Sequence, residues 1–302
     1  MTSCSSEVRR ARPLLGTFVE IAVDGWRADS AHCAIDAAFA AIEEVQRRMS
    51  FHDPASTLSR LNREAAHRAV PVDAWTFAVL RAAAQVHRIS SGAFDVTVAP
   101  HLQRLGFLPG ERAAAWRATG AVSFADVDLL PGRRVRFRRP DVCIDLGGIA
   151  KGFAVDRAVA TLRNAGVQHG LVNAGGDLRV FGDEQAIAVR HPEDPGATLH
   201  GLRLANAALA TSAHYFAARW QPEQTLAAIV HPSTGQQCAQ VRSATVRASS
   251  TMLADALTKV VMLRAEAALP VLNHFRADAI FVSAGGEQKC CPHWHATLEF
   301  SS

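Results

Sequence analysis

Asp145-Leu-Gly-Gly-Ile-Ala-Lys-Gly152 and, further along, Asn173-Ala-Gly-Gly-Asp177 decide how this chain is read. Glycine-dense turns let a ligand come within hydrogen-bond reach of bare backbone amides, because no Cβ stands in the way. The first turn runs into a helical stretch, Gly152-Phe-Ala-Val-Asp-Arg-Ala-Val-Ala-Thr-Leu-Arg-Asn-Ala-Gly166, which Gly166 is placed to stop. Asp145 before the glycines and Lys151 after them bracket the turn with charge of both signs. That chemistry suits a phosphorylated ligand, with or without its metal. Neither G-x-x-x-x-G-K-[ST] nor a G-x-G-x-x-G after the first strand occurs, so the spelling is neither P-loop nor dinucleotide fold. Taken alone, Gly147, Gly148 and Gly152 also fit a plain strand-to-helix turn.

Outward from the turn, Leu171-Val-Asn and Leu178-Arg-Val-Phe read as short strands around Gly175-Gly176. Thr17-Phe-Val-Glu-Ile-Ala-Val23 alternates like a strand. Ile35, Phe39, Ile42, Val45 and Met49 recur at helical spacing behind Ser30, a residue type that caps helices. Asp73 opens a second helix bearing Phe77, Leu80, Ala84 and His87, stopped at Ser91-Gly92. The stretch 185–248 is strand-like: Ala186-Ile-Ala-Val-Arg, Gly201-Leu-Arg-Leu, Thr225-Leu-Ala-Ala-Ile-Val and Ala244-Thr-Val-Arg. A helix starts at Ser249-Ser250-Thr251, and Asp278-Ala-Ile-Phe-Val and His295-Ala-Thr-Leu-Glu-Phe close the chain as strands. Strands do not alternate one-for-one with helices, so the expected class is α+β, with mixed, largely antiparallel sheets.

Composition narrows the function classes. At 302 residues with 49% hydrophobic and 20% charged side chains, the chain is an ordinary globular protein able to bury a large core. The formal charge of +4 is mild, and the dense run Arg133, Arg134, Arg136, Arg138 and Arg139 alternates with Val135 and Phe137 like a solvated strand edge. Together with the scarcity of aromatics, this argues against nucleic acid as a partner. No apolar run reaches the roughly eighteen residues of a membrane span, and the first ten residues lack an apolar signal core. Six cysteines show no disulfide framework, so a cytoplasmic protein is expected. Cys290-Cys291-Pro-His293-Trp-His295 invites a zinc or copper reading, but adjacent cysteines in an extended segment point to opposite faces.

The two glycine motifs resemble those of the FAD:protein FMN transferases. Further segments fall in that family's order: Leu15-Gly-Thr17, Met49-Ser-Phe-His-Asp-Pro-Ala-Ser-Thr-Leu-Ser-Arg-Leu-Asn62, Ser91-Gly-Ala-Phe-Asp-Val-Thr-Val-Ala-Pro100, Ala210-Thr-Ser212, Pro232-Ser-Thr-Gly235 and Met252-Leu-Ala-Asp-Ala-Leu257. The resemblance covers nearly the whole chain and implies a single flavin-transferase-like domain over residues 1–302. It implies an enzyme that uses FAD and magnesium, splits the pyrophosphate, and attaches FMN through a phosphoester to a threonine or serine of a target flavoprotein, releasing AMP. Carried over by position, Leu15, His52, Ala93, Phe94, Asp95, Asp145 and Lys151 line the FAD site, and the Gly148 carbonyl and the Asp255 carboxylate face the metal. Such chemistry needs cations and amide donors around a pyrophosphate whose oxygens gain charge.

Two departures from the family pattern bear on catalysis. The hydroxyl that the family places one helical turn after Asp255 is Lys259 here. An ammonium has donors and no acceptor, so it cannot ligate magnesium, although it can stand in the cation's place. Thr258 is the nearest hydroxyl and a metal-ligand candidate, turned about 100° away on a helix. Before the Pro-Ser-Thr-Gly turn, the family's histidine and aspartate are Ala228 and His231, which makes His231, with Asp255 and Lys259, a catalytic candidate. Two other readings stand beside a working transferase: a flavin-binding carrier or assembly factor, and an FAD pyrophosphatase. Asn173 and Asp177 are expected to fix their turn through backbone hydrogen bonds.

Overall fold

The computed structural model describes residues 7–110, 122–194, 196–214, 228–292 and 294. Residues 225–227 of one expected strand, the expected strand over 295–300, and His293 lie outside these.

Eight strands form one antiparallel sheet in the order β1 (Val8–Leu14), β2 (Thr17–Asp24), β6 (His169–Ala174), β7 (Asp177–Phe181), β10 (Ala208–Ala213), β11 (Val241–Ala248), β12 (Asp278–Ser283) and β13 (Gln288–Cys290). A small sheet places β5 (Arg134–Phe137) between β3 (Val70–Pro71) and β4 (Val127–Leu130), and β8 (Gln185–Arg190) pairs with β9 (Thr198–Leu204). The arginine run is therefore a central strand and not an edge; Val135 and Phe137 are buried while Arg134 and Arg136 face solvent.

The helices are α1 (Ala28–Met49), α2 (Thr57–Glu64), α3 (Ala74–Ile89), α4 (Ala99–Arg104), α5 (Ala150–Asn164), α6 (Thr251–Arg264) and α7 (Leu269–His274). The apolar face of α1, from Ala31 through Ile35, Phe39 and Ile42 to Met49, packs on α5 and borders the sheet. Its N-cap is Arg27 and not Ser30, which lies inside the first turn. The Asp73 side chain caps α3 by accepting from Trp75 and Thr76, as its sequence position predicts. Gly166, at φ +98, closes α5 with the amides of Gly166 and Val167 donating to Arg163 and Leu162, a left-handed stop that glycine adopts without strain.

The sixth helix is buried on nearly every side: Ala254, Ala256, Leu257, Val260, Val261 and Met262, but also Asp255 and Thr258, lie inside. It packs against β10, β11 and α5. A helix with so little of its surface toward water must find partners for its buried polar groups inside the protein. Those partners define the site.

Candidate functional site

The glycine turn ends at Ile149, and α5 begins at Ala150, so Lys151 and Gly152 sit in its first turn. A Cβ built on Gly152 would stand 2.2 Å from the carbonyl oxygen of Thr251. Glycine is needed here for close approach of α5 to the start of α6, and the gain is a hydrogen bond: the Gly152 amide donates to Asp255 Oδ2 at 3.0 Å. The other carboxylate oxygen of Asp255 receives the Lys259 ammonium, which also donates to the Asp255 main-chain oxygen at 3.0 Å. Asp255 is fully buried.

Lys259 reaches the glycine turn as well. A Cβ on Gly148 would lie 3.4 Å from Lys259 Cε and 3.6 Å from Phe94 Cε2, so the turn is sandwiched between the lysine stem and the Phe94 ring. On the far side of α5's first turn, Lys151 Nζ lies 2.7 Å from Asp177 Oδ2. Two lysines and two buried aspartates thus surround the entrance of α5.

Their electrostatics are coupled. Burial, and then the neighbouring Asp255 charge, push the Asp177 carboxyl up to about 7 against the pull of Lys151. Burial acts the same way on Asp255, but the Lys259 and Lys151 ammoniums outweigh it and hold that carboxyl below its ordinary value. Of the two carboxyls, Asp177 is therefore the one that protonates more readily. Burial also raises the Asp145 carboxyl, opposed by the Gly147 amide and by His52.

The remaining predicted residues frame this cluster. Ala93 and Phe94 are buried in a loop held by Ser90, whose hydroxyl accepts from the Phe94 amide at 3.0 Å, and by His87, 3.2 Å from the Phe94 oxygen. The Asp95 carboxylate is spent inside the protein, on the Thr97 amide and hydroxyl, the Phe124 amide and His87, so its contribution is to shape the loop. His87 is raised above the usual imidazole value by its bond to Asp95. His52 is exposed beside a cleft of about 420 Å³ lined also by Phe51, Asn62, Arg63 and Cys143. Leu15 occupies the β1–β2 turn at φ +55, an uncommon backbone for a leucine, with its amide fixed to Gln46 Oε1 at 2.7 Å.

Thr258 turns from the carboxylate: its hydroxyl donates to the Asp255 main-chain oxygen at 2.7 Å and lies 2.8 Å from the Ser212 hydroxyl. His231 is exposed and its ring meets Ser233 of its own turn at 3.0 Å. Among the described residues, no hydrogen bond or ion pair joins it to the Asp255 cluster.

Three residues gain a place that sequence reasoning did not assign. Asn173 fixes its turn, accepting from Gly176 at 3.0 Å, but Asp177 instead faces Lys151 and Asp255. Asn62 clamps the extended segment before the glycine turn, its amide bonding both the nitrogen and the oxygen of Ile144 at 2.9 Å. Asp156, one turn and a half into α5, accepts from the Thr251 and Met252 amides and so orients the start of α6. Asp156 and Asn62 stand in quoted motifs, yet only the tertiary contacts disclose their roles.

Magnesium, the cation implied by the family resemblance, does not fit these residues. One oxygen of Asp255 is bonded to Lys259 and the other to Gly152, and the Thr258 hydroxyl is committed. No group of three or more His, Cys, Asp or Glu positioned for a metal occurs among the described residues.

The ApbE family model matches residues 15–281. The chain is 29% identical over 238 residues to an FAD:protein FMN transferase of Vibrio cholerae, covering 74% of this chain and 71% of that protein. It is 29% identical over 252 residues to an FAD:protein FMN transferase of Haemophilus influenzae, covering 77% and 73%. An ApbE protein from Thermotoga maritima superposes with a TM-score of 0.86 at 26% identity, over 98% of this chain and all of the other. The flavin transferase ApbE from Vibrio cholerae does so at 0.81 and 23% identity, a likeness of fold.

Proposed function

The chain belongs to the ApbE family, and we propose from that membership that it is an FAD:protein FMN transferase. The acceptor is a threonine or serine hydroxyl of a target flavoprotein. Its oxygen forms a bond to the phosphorus of the FMN half of FAD; the bond from that phosphorus to the bridging oxygen breaks, AMP leaves with the electron pair, and the hydroxyl proton is released to water. The observation that carries this reading is the convergence of Lys151 and Lys259 on the buried Asp255 beside the Gly148 turn, where α5 begins: two cations next to a glycine that a ligand can approach, suited to a pyrophosphate.

Each predicted FAD-site residue has a role in this reading. Phe94 and Lys259 hold Gly148 between them, His52 borders the cleft and its charge acts on Asp145, and Leu15 presents a strained turn between β1 and β2. Asp255 positions Lys259, and Asp177 positions Lys151. His231 is proposed only as a residue of the acceptor side, since its partners lie within its own turn. A single unit over 1–302 is supported by the eight-stranded sheet, which takes strands from both ends of the described chain. We place the chain in the cytoplasm, a compartment that keeps thiols such as those of Cys33, Cys238 and Cys291 reduced. No helix among the described residues is long and apolar enough to cross a membrane.

The test is to incubate the purified chain with FAD and protein extract of its host, then follow AMP by chromatography and flavin fluorescence in a denaturing gel. Fluorescence that survives denaturation, in amounts matching AMP and only with the chain present, supports transfer. AMP and free FMN in equal amounts without a fluorescent band would make the chain a pyrophosphatase. Binding with no AMP would make it a carrier.

A further inference from the structure

We propose that Lys259 is a built-in cation that replaces the divalent metal, so that this chain binds the pyrophosphate of FAD without magnesium. The proposal rests on the flavin-transferase reading and deepens it.

Three observations converge. The ammonium sits on the Asp255 carboxylate, the group that would otherwise hold a metal, and Gly152 takes the second oxygen of that carboxylate. The stem of Lys259 runs past Gly148, which places the charge between the glycine turn and Asp255, the two elements assigned to the metal. Among the described residues the ammonium donates to Asp255 alone, to its side chain and its main-chain oxygen, which leaves one of its three protons for a ligand.

An i,i+4 pair on a helix surface is an alternative role for such a lysine, worth a few tenths of a kcal/mol. The burial argues otherwise. Asp255 is inaccessible and the Lys259 side chain is only 20% exposed. Burying such a pair costs desolvation that a surface pair avoids. A phosphate ligand that accepts the third proton completes the ammonium's hydrogen bonding. With Lys151, two fixed positive charges face a pyrophosphate that carries about two negative ones.

The experiment measures FAD affinity of the wild-type chain by flavin fluorescence, once in EDTA and once in excess magnesium. Equal affinity, within about threefold, is expected. Magnesium tightening FAD by more than that would overturn the proposal while leaving the flavin reading intact. No binding of FAD in either buffer would sink the flavin reading, and this proposal with it. Two variants extend the test. Lys259→Thr restores a hydroxyl and opens Asp255, so FAD should weaken about tenfold in EDTA and recover with magnesium. Lys259→Met loses the charge but keeps the bulk over the turn, so magnesium should not rescue it. A Lys259→Thr protein that folds and shows no response to magnesium would count against the replacement. If that variant does not fold, the wild-type comparison still decides.

Discussion

The amide of Gly152 donates to Asp255 Oδ2 at 3.0 Å, joining the first turn of α5 to the first turn and a half of α6 across 103 residues of sequence. That bond makes the glycine motif and the aspartate motif one structure. The turn cannot shift without moving the carboxylate, and the carboxylate holds the lysine. Positioning of the cationic groups therefore depends on how closely two helices pack.

Gly152→Ala tests this dependence. The added Cβ would meet backbone atoms, the Thr251 oxygen at 2.2 Å and carbon at 2.6 Å, which no side-chain rotation relieves. The expected loss of stability is about 3 kcal/mol or more, at the upper end of overpacking effects. Flavin affinity should fall with it, because separation of α5 from α6 lengthens the Asp255 bond. Urea unfolding and fluorescence titration check both. Full stability would mean that the helices can part freely.

Gly148 obeys a different constraint. Its φ is not in the left-handed region, and a Cβ there would be in near-ordinary contact with Lys259 and Phe94. Gly148→Ala should therefore bind FAD within about threefold of wild type, whereas the two methyl groups of Gly148→Val should weaken it about tenfold or more. Equal affinity in the valine variant would place the ligand away from this turn.

The ion pair on α6 predicts an asymmetric cycle. Asp255→Ala leaves the Gly152 amide without an acceptor and the Lys259 ammonium without its counter-charge, with only the main-chain oxygen of residue 255 to donate to, and Lys259→Met leaves a buried carboxylate without its cation. Each should cost about 3–5 kcal/mol in unfolding free energy. The pair Asp255→Leu with Lys259→Met should cost much less than the sum, because no charge is left alone. Additive losses would show that the two side chains do not depend on each other.

How far the sequence discloses this arrangement depends on the range of each signal. The Asp255–Lys259 pair is legible because four residues make one helical turn. The Asp73 cap and the Gly166 stop are legible for the same local reason. Helix α2 is not: Leu58 and Leu61 are its buried positions amid polar neighbours, and its start rests on the Ser56 hydroxyl, which accepts from the Ser59 amide at 2.9 Å. The central place of the arginine strand is equally hidden, because alternation tells which face is wet and says nothing of which strands lie on either side. The pairing of Asp177 with Lys151 joins a hairpin to a helix, and no periodicity links them. A turn aspartate beside two glycines reads naturally as a backbone-capping residue until the helix is packed against it.

That pairing gives the stability of the protein a specific pH dependence. The Asp177 carboxyl titrates at about 7 in the folded chain, against about 3.9 when unfolded. Between those values the native state holds a proton that the unfolded chain has released. The stability this provides is whole below about pH 4 and is lost as pH rises through about 7. Asp255, held below its ordinary value, acts with the opposite sign: its contribution is present above the unfolded value and disappears as pH falls through the acid range. Asp177→Asn removes the first effect and leaves the second. The wild-type advantage over this variant, from urea unfolding at a series of values between about pH 4 and pH 8, should therefore shrink steadily up to about 7 and then level. An advantage that stays constant with pH would show Asp177 ionised throughout, with Lys151 dominating its environment in place of burial and Asp255.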